Sequence, residues 1–446
     1  MAEAEQSVER PFAVDHRLVL GIAVPMTLAY LTTPLLGVVD TAVVGQFGDA
    51  ALLGGLAAGT IVFDVVFASF NFLRAGTTGL VAQAFGRGDR QEERAVFCRA
   101  AAIAIVAGVA LILLAPAVAA LGGVLIGAEP RVTAAMKTYV AIRLFSAPAA
   151  LINYSVLGYL LGRGEARLGL ALQILLNGVN IALSILFGLH FGWGVAGVAW
   201  GTVCGEAVAA VAGVALLVVR FRRMPPLDMA RTFHRGPLRR MLHLNSDIMI
   251  RSFALMAAFA LFTRQGAGLG TVTLAANAVL MHFFMVAGYF LDGFATAAEQ
   301  LAGRAVGARY RPGFDAAVRL TALWGFVMAG LTSLAFLTFG ADVISWITTA
   351  QEVRQAATLA LPWAALTAVS GVLAFQMDGV FIGATWSRDM RNMMLVSLAV
   401  FAAAIFVLGR LAGNPGLWAS LHLFLIVRGL TLLSVMPRRA AFTFSR

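Results

Sequence analysis

LVLGIAVPMTLAYLTTPLLGVVDTAVVGQ, residues 18–46, is an apolar run broken by Pro25 and Pro34, with one acid, Asp40, near its far end. At ~1.5 Å per residue, a helix of this run is about 40 Å long, enough to cross a bilayer with some tilt. An ionised carboxyl is costly in hydrocarbon, so an acid at this depth marks a functional site by default. Desolvation favours its neutral form, which makes the proton exchangeable near neutral pH. Pro34 cannot bond the carbonyl of Tyr30, and this gives the helix a place to bend. A titratable group beside a bendable point is what proton-driven transport requires. The plainer reading, an Asp lining a wet cavity with no coupling role, stands beside it.

The rest of the chain has the same character. Its 446 residues are 60% hydrophobic and 12% charged, with a mean hydropathy of +0.86, which fits a polytopic helical membrane protein. The apolar runs are long and continuous, unlike the alternating ten-residue segments of a transmembrane barrel. Twelve helices are expected, near 18–46, 52–84, 95–121, 134–161, 169–190, 195–219, 244–266, 272–303, 315–340, 353–382, 391–412 and 416–436. Cys98 and Cys204 fall in or beside different apolar segments and suggest neither a disulfide framework nor a metal cluster. The first 17 residues are polar and no cleavage pattern follows the first apolar run, so that run reads as a retained span.

The net charge of +11 is a topology signal. With twelve spans both termini lie on one side, and the tails and loops of that side hold most of the arginines. They include Arg10, Arg17, Arg87, Arg90, Arg163, Arg167, Arg222, Arg223, Arg304, Arg309, Arg388, Arg438 and Arg439. The other side holds only Arg131, Lys137, Arg264, Arg354 and Arg410. By the positive-inside rule both ends are cytoplasmic, and no nucleic-acid partner is implied.

The longest pause in the apolar pattern is FRRMPPLDMARTFHRGPLRRM, residues 221–241, a basic stretch rich in proline that reads as a linker between two halves. The expected organisation is a cytoplasmic tail (1–17), an amino-terminal lobe (18–220), a linker (221–243), a carboxy-terminal lobe (244–436) and a second tail (437–446). An offset of 221 carries Gly45 onto Gly266, Gly86 onto Gly307, Gly158 onto Gly379, Gly162 onto Gly383, Gly188 onto Gly409 and Gly192 onto Gly413. Both halves keep the same orientation. Such a parallel repeat is related by an axis along the membrane normal and places a substrate site at the repeat interface. The GxxxG pairs, Gly158/Gly162 and Gly379/Gly383, read as close helix contacts.

Several stretches resemble the multidrug and toxic compound extrusion (MATE) family, specifically its DinF-like branch. They are PLLGVVDTAVVG (34–45), FLRAGTTGLVAQAFG (72–86), NSDIMIRS (245–252) and ANAVLMHFFMVAGYFLDGFATAAEQ (276–300). The resemblance implies an all-α fold of two pseudo-symmetric six-helix bundles in a V, and export of amphipathic, often cationic organic compounds against protons or sodium. It also implies that Asp40 is the proton-handling residue. Many relatives carry Asn-x-x-x-Asp in the fifth span; anchoring on GVAG (194–197) places Asn180 on the amide and Ser184 on the acid. The missing carboxylate weakens a sodium site, because sodium prefers several hard oxygen ligands whereas a proton needs one carboxyl.

Among the remaining polar residues, Asp64 lies near mid-membrane in the second span; it either replaces the absent fifth-span acid or pairs with Arg74 or Arg143. Tyr30, Asn153 and Asn177 join Asn180 and Ser184 as candidate polar contacts of the amino-terminal cavity, with Pro34 the candidate bend. Asp292 and Glu299 share a helix face, two turns apart, and with Met281 and His282 are candidates for a carboxy-terminal cavity or second ion path. The plain reading of Glu299 is a structural pairing with Arg304 or another interfacial arginine. Asp247 and Arg251 are expected to form an i,i+4 ion pair, and Asp378 to reach water or Arg388.

No Walker A loop, HExxH or GxSxG occurs, so the energy source is an ion gradient and no cofactor is expected. The chain reads as a monomeric proton-coupled exporter embedded in the bacterial cytoplasmic membrane, acting on small organic molecules. A sodium-coupled exporter and a lipid-linked oligosaccharide flippase are the alternatives.

Overall fold

A computed structural model describes residues 10–445. The first nine residues of the expected amino-terminal tail, and Arg446 of the carboxy-terminal one, lie outside the described residues. Among the described residues the chain forms fifteen α-helices and no strand. They are α1 (His16–Gly45), α2 (Ala50–Ala68), α3 (Phe72–Arg87), α4 (Arg90–Leu113), α5 (Ala115–Ile126), α6 (Pro130–Leu144), α7 (Ala147–Gly162) and α8 (Ala166–Ile185), the last continued by a π turn (Leu186–His190). There follow α9 (Gly194–Phe221), α10 (Met229–Thr232), α11 (Arg235–Gly268), α12 (Thr271–Gly307), α13 (Arg311–Ile347), α14 (Gln351–Gly383) and α15 (Ser387–Phe444).

Among the described residues ten helical stretches are long and apolar enough to cross a membrane, and α6 with α7, bent by 54°, forms an eleventh. α15 is non-helical at Gly413 (φ 60°, ψ −133°) and is two spans joined at a kink, which brings the number to the twelve read from the sequence. Local chemistry explains the breaks. Asp49 and Asp89 cap α2 and α4 by accepting from the N–H groups of Ala51 (2.8 Å) and Glu92 (2.9 Å). Pro116 opens α5, so the third apolar run bends at Leu114 instead of continuing straight. Two boundaries differ from expectation. α11 starts at Arg235, inside the stretch read as linker, and α15 stays helical through Pro437 to Phe444, in the stretch read as tail.

The helices form two compact units. One comprises residues 31–84 and 89–245; the other comprises, among the described residues, 10–30, 85–88 and 246–445. The first is built around buried Val44, Met136, Tyr139, Val140, Leu151 and Val198, and the second around Phe262, Leu280, Phe401, Trp418 and Phe424.

Each unit is drawn tight by the same device. A Cβ on Gly158 or Gly162 would meet the carbonyl oxygen of Arg74 at 2.6 Å or of Thr78 at 2.8 Å, so α7 lies directly on the α3 backbone. Gly379 and Gly383 on α14 press on the carbonyls of Ala295 and Glu299 on α12, at 2.2 and 2.0 Å. All four contacts obey the 221-residue offset, with 158, 162, 74 and 78 passing to 379, 383, 295 and 299. Small residues that let helix backbones touch are how membrane helices associate without a hydrophobic driving force.

The expected pair between Asp247 and Arg251 does not form. Asp247 accepts from Arg391 Nη1 at 2.6 Å and from Ser387 Oγ at 2.7 Å, both on α15. Arg251 reaches Asp378 on α14 at 2.5 Å, and Arg428 of α15 binds the same carboxylate oxygen. Asp378 is therefore buried between two guanidiniums, neither in water nor on Arg388. Both members of the expected pair are at most 9% exposed. Buried charges take partners from neighbouring helices, and a local pair worth ~0.3–0.5 kcal/mol in water does not compete.

Candidate functional site

Asp40 lies on α1 with 8% of its surface exposed. Glycines bring the neighbouring helices to it. Gly188, in the π turn after α8, has no Cβ where one would meet Val43 at 2.4 Å, and so admits α1. Gly201 and Gly205 of α9 press on the backbone at Ser184 and Leu176, locking α8 to α9. As a result Asp40, Ser184 and Asn180 come together: Ser184 lies beside Asp40 and donates to Asn180 Oδ1 at 3.0 Å. Thr202 of α9 completes the group at 3.4 Å from the same oxygen. One oxygen of Asp40 and the amide nitrogen of Asn180 are buried without a hydrogen-bond partner. Asn177, one turn earlier on α8, donates to Thr32 of α1 at 2.6 Å and accepts from Gln173 at 3.1 Å. It therefore ties α8 to α1.

A second group in the same unit surrounds Arg143, at the last turn of α6. Its guanidinium lies 3.8 Å from the centre of the Phe63 ring and is 8% exposed, with Nε and Nη1 buried and unpartnered. Asp40, the exposed Asp64 of α2 and the half-buried Glu206 of α9 are all within its electrostatic range. Glu206 is oriented by Asn153 of α7, whose amide donates to its carboxylate at 2.6 Å and to its backbone carbonyl at 3.0 Å. Tyr154 and Arg74 border the same group.

Glu206 and Arg143 are functional candidates that the sequence motifs did not single out. Glu206 interrupts the sixth apolar run and was legible by the rule that flagged Asp40. Arg143 was read only as a possible partner for Asp64, and its place among three carboxyls needs the helices assembled.

The other candidates lie elsewhere. Pro34 is exposed on α1, which remains helical through it. Tyr30 departs from the amino-terminal group, because its hydroxyl pairs with Thr296 of α12 at 3.0 Å. The reason is Gly293, where a Cβ would strike Thr27 Oγ1 at 2.0 Å, so the first half of α1 is seated on α12. The backbone carbonyl of Asp292, half-buried on α12, accepts from Thr296 at 2.8 Å. Glu299 is 2% exposed, and its carbonyl abuts Gly383. Arg304, its expected partner, stacks over the rings of Phe12 (4.0 Å) and Phe85 (5.2 Å). Met281 packs at the edge of the second core, and His282 is exposed.

Among the described residues, membrane-length helical stretches in two repeated halves, with acids on them, define a polytopic helical membrane protein of transporter type. The MatE family model matches residues 25–186 and again 248–408, once in each half. The chain belongs to that family, the MATE transporters, and to its DinF-like branch. It is 37% identical to "DNA damage-inducible protein F" of Escherichia coli, over 94% of this chain and 91% of that one. It is 26% identical to "Probable multidrug resistance protein NorM" of Rhizobium meliloti, over 92% and 90% of the two chains. Among solved structures it is similar to an outward-facing conformation of a multidrug resistance MATE family transporter of the MOP superfamily, with a TM-score of 0.89, 18% identity and 97% of each chain covered. A MATE structure in the straight conformation aligns with the same TM-score, 0.89, identity of 18% and cover of 97% of each chain. These likenesses establish a transporter fold and no enzyme.

Proposed function

We propose that the protein exports amphipathic, often cationic organic compounds in exchange for protons. In this reading it works as a monomer in the cytoplasmic membrane of a bacterium, with both termini cytoplasmic and lobes at 18–220 and 244–436. The observation that carries the reading is Asp40: a buried carboxyl on a membrane-spanning helix, one oxygen unpartnered, beside a hydroxyl and within range of a guanidinium. A proton satisfies such a carboxyl without further ligands. Sodium would need several hard oxygens, and the nearby guanidinium would repel it.

In the cycle, Asp40 is ionised while cargo is held and protonated when cargo departs. Coupling requires that the two protonation states differ in their preference for the conformations of the transporter. Asn180, Ser184 and Asn177 position Asp40 against α8. Asp64 adds a second titrating group, Pro34 supplies the bend, and Asp292, Glu299, Met281 and His282 are candidates for contacts in the other unit. Proteoliposomes with imposed pH or sodium gradients test the reading. Efflux should follow the pH gradient and be lost in Asp40→Asn, and wild-type efflux by that variant removes the assignment.

A further inference from the structure

Arg143 is the feature of the site that proton exchange at Asp40 leaves unexplained. A buried arginine ordinarily holds a carboxylate, because an unpaired charge in a low-dielectric interior costs several kcal/mol. Here three carboxyls lie within electrostatic range, yet among the described residues none forms an ion pair with Arg143. The guanidinium rests instead on the Phe63 ring, at 3.8 Å, and Phe63 is itself stacked on Phe67 at 4.0 Å. An aromatic face holds a cation without fixing its hydrogen bonds. Meanwhile the backbone is pinned, because the Arg143 carbonyl accepts from Ser146 Oγ at 2.8 Å across the break between α6 and α7. Only the side chain is left to choose a partner.

We propose that Arg143 is an internal counter-ion that a cationic cargo displaces, and that Glu206 is the carboxylate the cargo then occupies. The inference rests on the export reading above. In the empty site Arg143 balances Glu206 and Asp64. An organic cation arriving at Glu206 repels a nearby guanidinium strongly where the dielectric is low, and Arg143, unlike the two arginines on Asp378, is held by no ion pair among the described residues, so the arriving cargo frees it. The freed guanidinium then neutralises Asp40 from the other side, and Asp40 no longer needs its proton. When cargo leaves, Arg143 returns and Asp40 takes a proton again. One mobile charge thereby links the cargo position to the proton position. The groups around Arg143 are Asp40 on α1, Asp64 on α2, Tyr139 on its own helix, Tyr154 on α7 and Glu206 on α9, with Arg74 of α3 also within electrostatic range of Tyr154. Asn153 acts through Glu206, holding the receiving carboxylate in place.

The test measures tetraphenylphosphonium binding to the purified full chain by calorimetry. Arg143→Gln should bind the cation more tightly, by roughly tenfold, because the internal competitor is gone. Arg143→Lys should keep wild-type affinity, and Glu206→Gln should weaken binding by roughly tenfold. Wild-type affinity should rise from about pH 6 to about pH 8, and that rise should shrink to about twofold in Arg143→Gln. A merely structural arginine would lower affinity when lost. Unchanged or weaker binding by Arg143→Gln with a wild-type melting temperature therefore overturns the inference. Should that variant not fold, Glu206→Gln decides, since wild-type affinity there overturns it equally. Asp40→Asn with wild-type efflux, or wild-type protein that does not bind the probe, would remove the export reading itself.

Discussion

Gly383→Ala tests how the helix scaffold is held. The added Cβ would stand 2.0 Å from the carbonyl oxygen of Glu299 and 2.9 Å from both its carbonyl carbon and the Gly303 nitrogen. All three are backbone atoms of α12 and have no rotamer to change. A carbon and a carbonyl oxygen in contact sit about 3.3 Å apart, so α14 must retreat from α12 by about 1 Å along that direction. Its neighbour Gly379, 2.2 Å from the Ala295 carbonyl, loses the same close fit. Overpacking of this kind costs ~1–3 kcal/mol when side chains can yield, so a loss at or above about 3 kcal/mol is expected here. The repeat-related Gly162→Ala meets the Thr78 carbonyl at 2.8 Å and the Val81 Cβ at 2.7 Å, so the shortfall is smaller and the effect should be milder. Gly330→Ala, at an exposed position on α13, meets nothing within 4 Å and should be neutral or stabilising by up to about 1 kcal/mol. Thermal melting in detergent ranks the three. A melting temperature for Gly383→Ala equal to wild type would refute the backbone-contact argument.

Two further perturbations probe a buried ion cluster of one half and a turn that both halves share. Asp378→Asn removes the carboxylate shared by Arg251 and Arg428 and leaves two guanidiniums buried without it. The expected loss is ~3–5 kcal/mol, read from denaturant unfolding of the purified protein, and a loss below about 1 kcal/mol would contradict the pairing. Gly164→Ala places a side chain at φ 77°, in the left-handed region, and should cost ~1–2 kcal/mol in the same measurement. Its repeat-related position already holds Thr385 at φ 57°, so the turn survives a side chain at that price in strain.

The order of helices was readable because each span is a local property: an unbroken apolar run long enough to cross hydrocarbon declares itself without its neighbours. The repeat was readable for a related reason. A glycine on a crowded interface cannot be replaced without moving a backbone, so Gly158, Gly162, Gly379 and Gly383 mark the same contact twice. The offset extends to the turns, where Gly88 and Arg309, and Gly164 and Thr385, share positive φ. Asp40 also stood out alone, as an acid where acids are expensive.

The chemistry does not follow the repeat, and only the assembled helices decided which residues form the charged group. Under the same offset Asp40, Asp64, Arg143 and Glu206 fall on Leu261, Met285, Ala364 and Val427, all apolar. The backbone is duplicated while the charged group exists in one unit only. Which charge meets which was likewise beyond the sequence: Asp247 passes over Arg251, four residues away, for Arg391, far along the chain. Hydrophobic run length is fixed by the segment itself, but the partner of a buried charge is fixed by where other helices place their side chains. Separation along the chain carries no record of that.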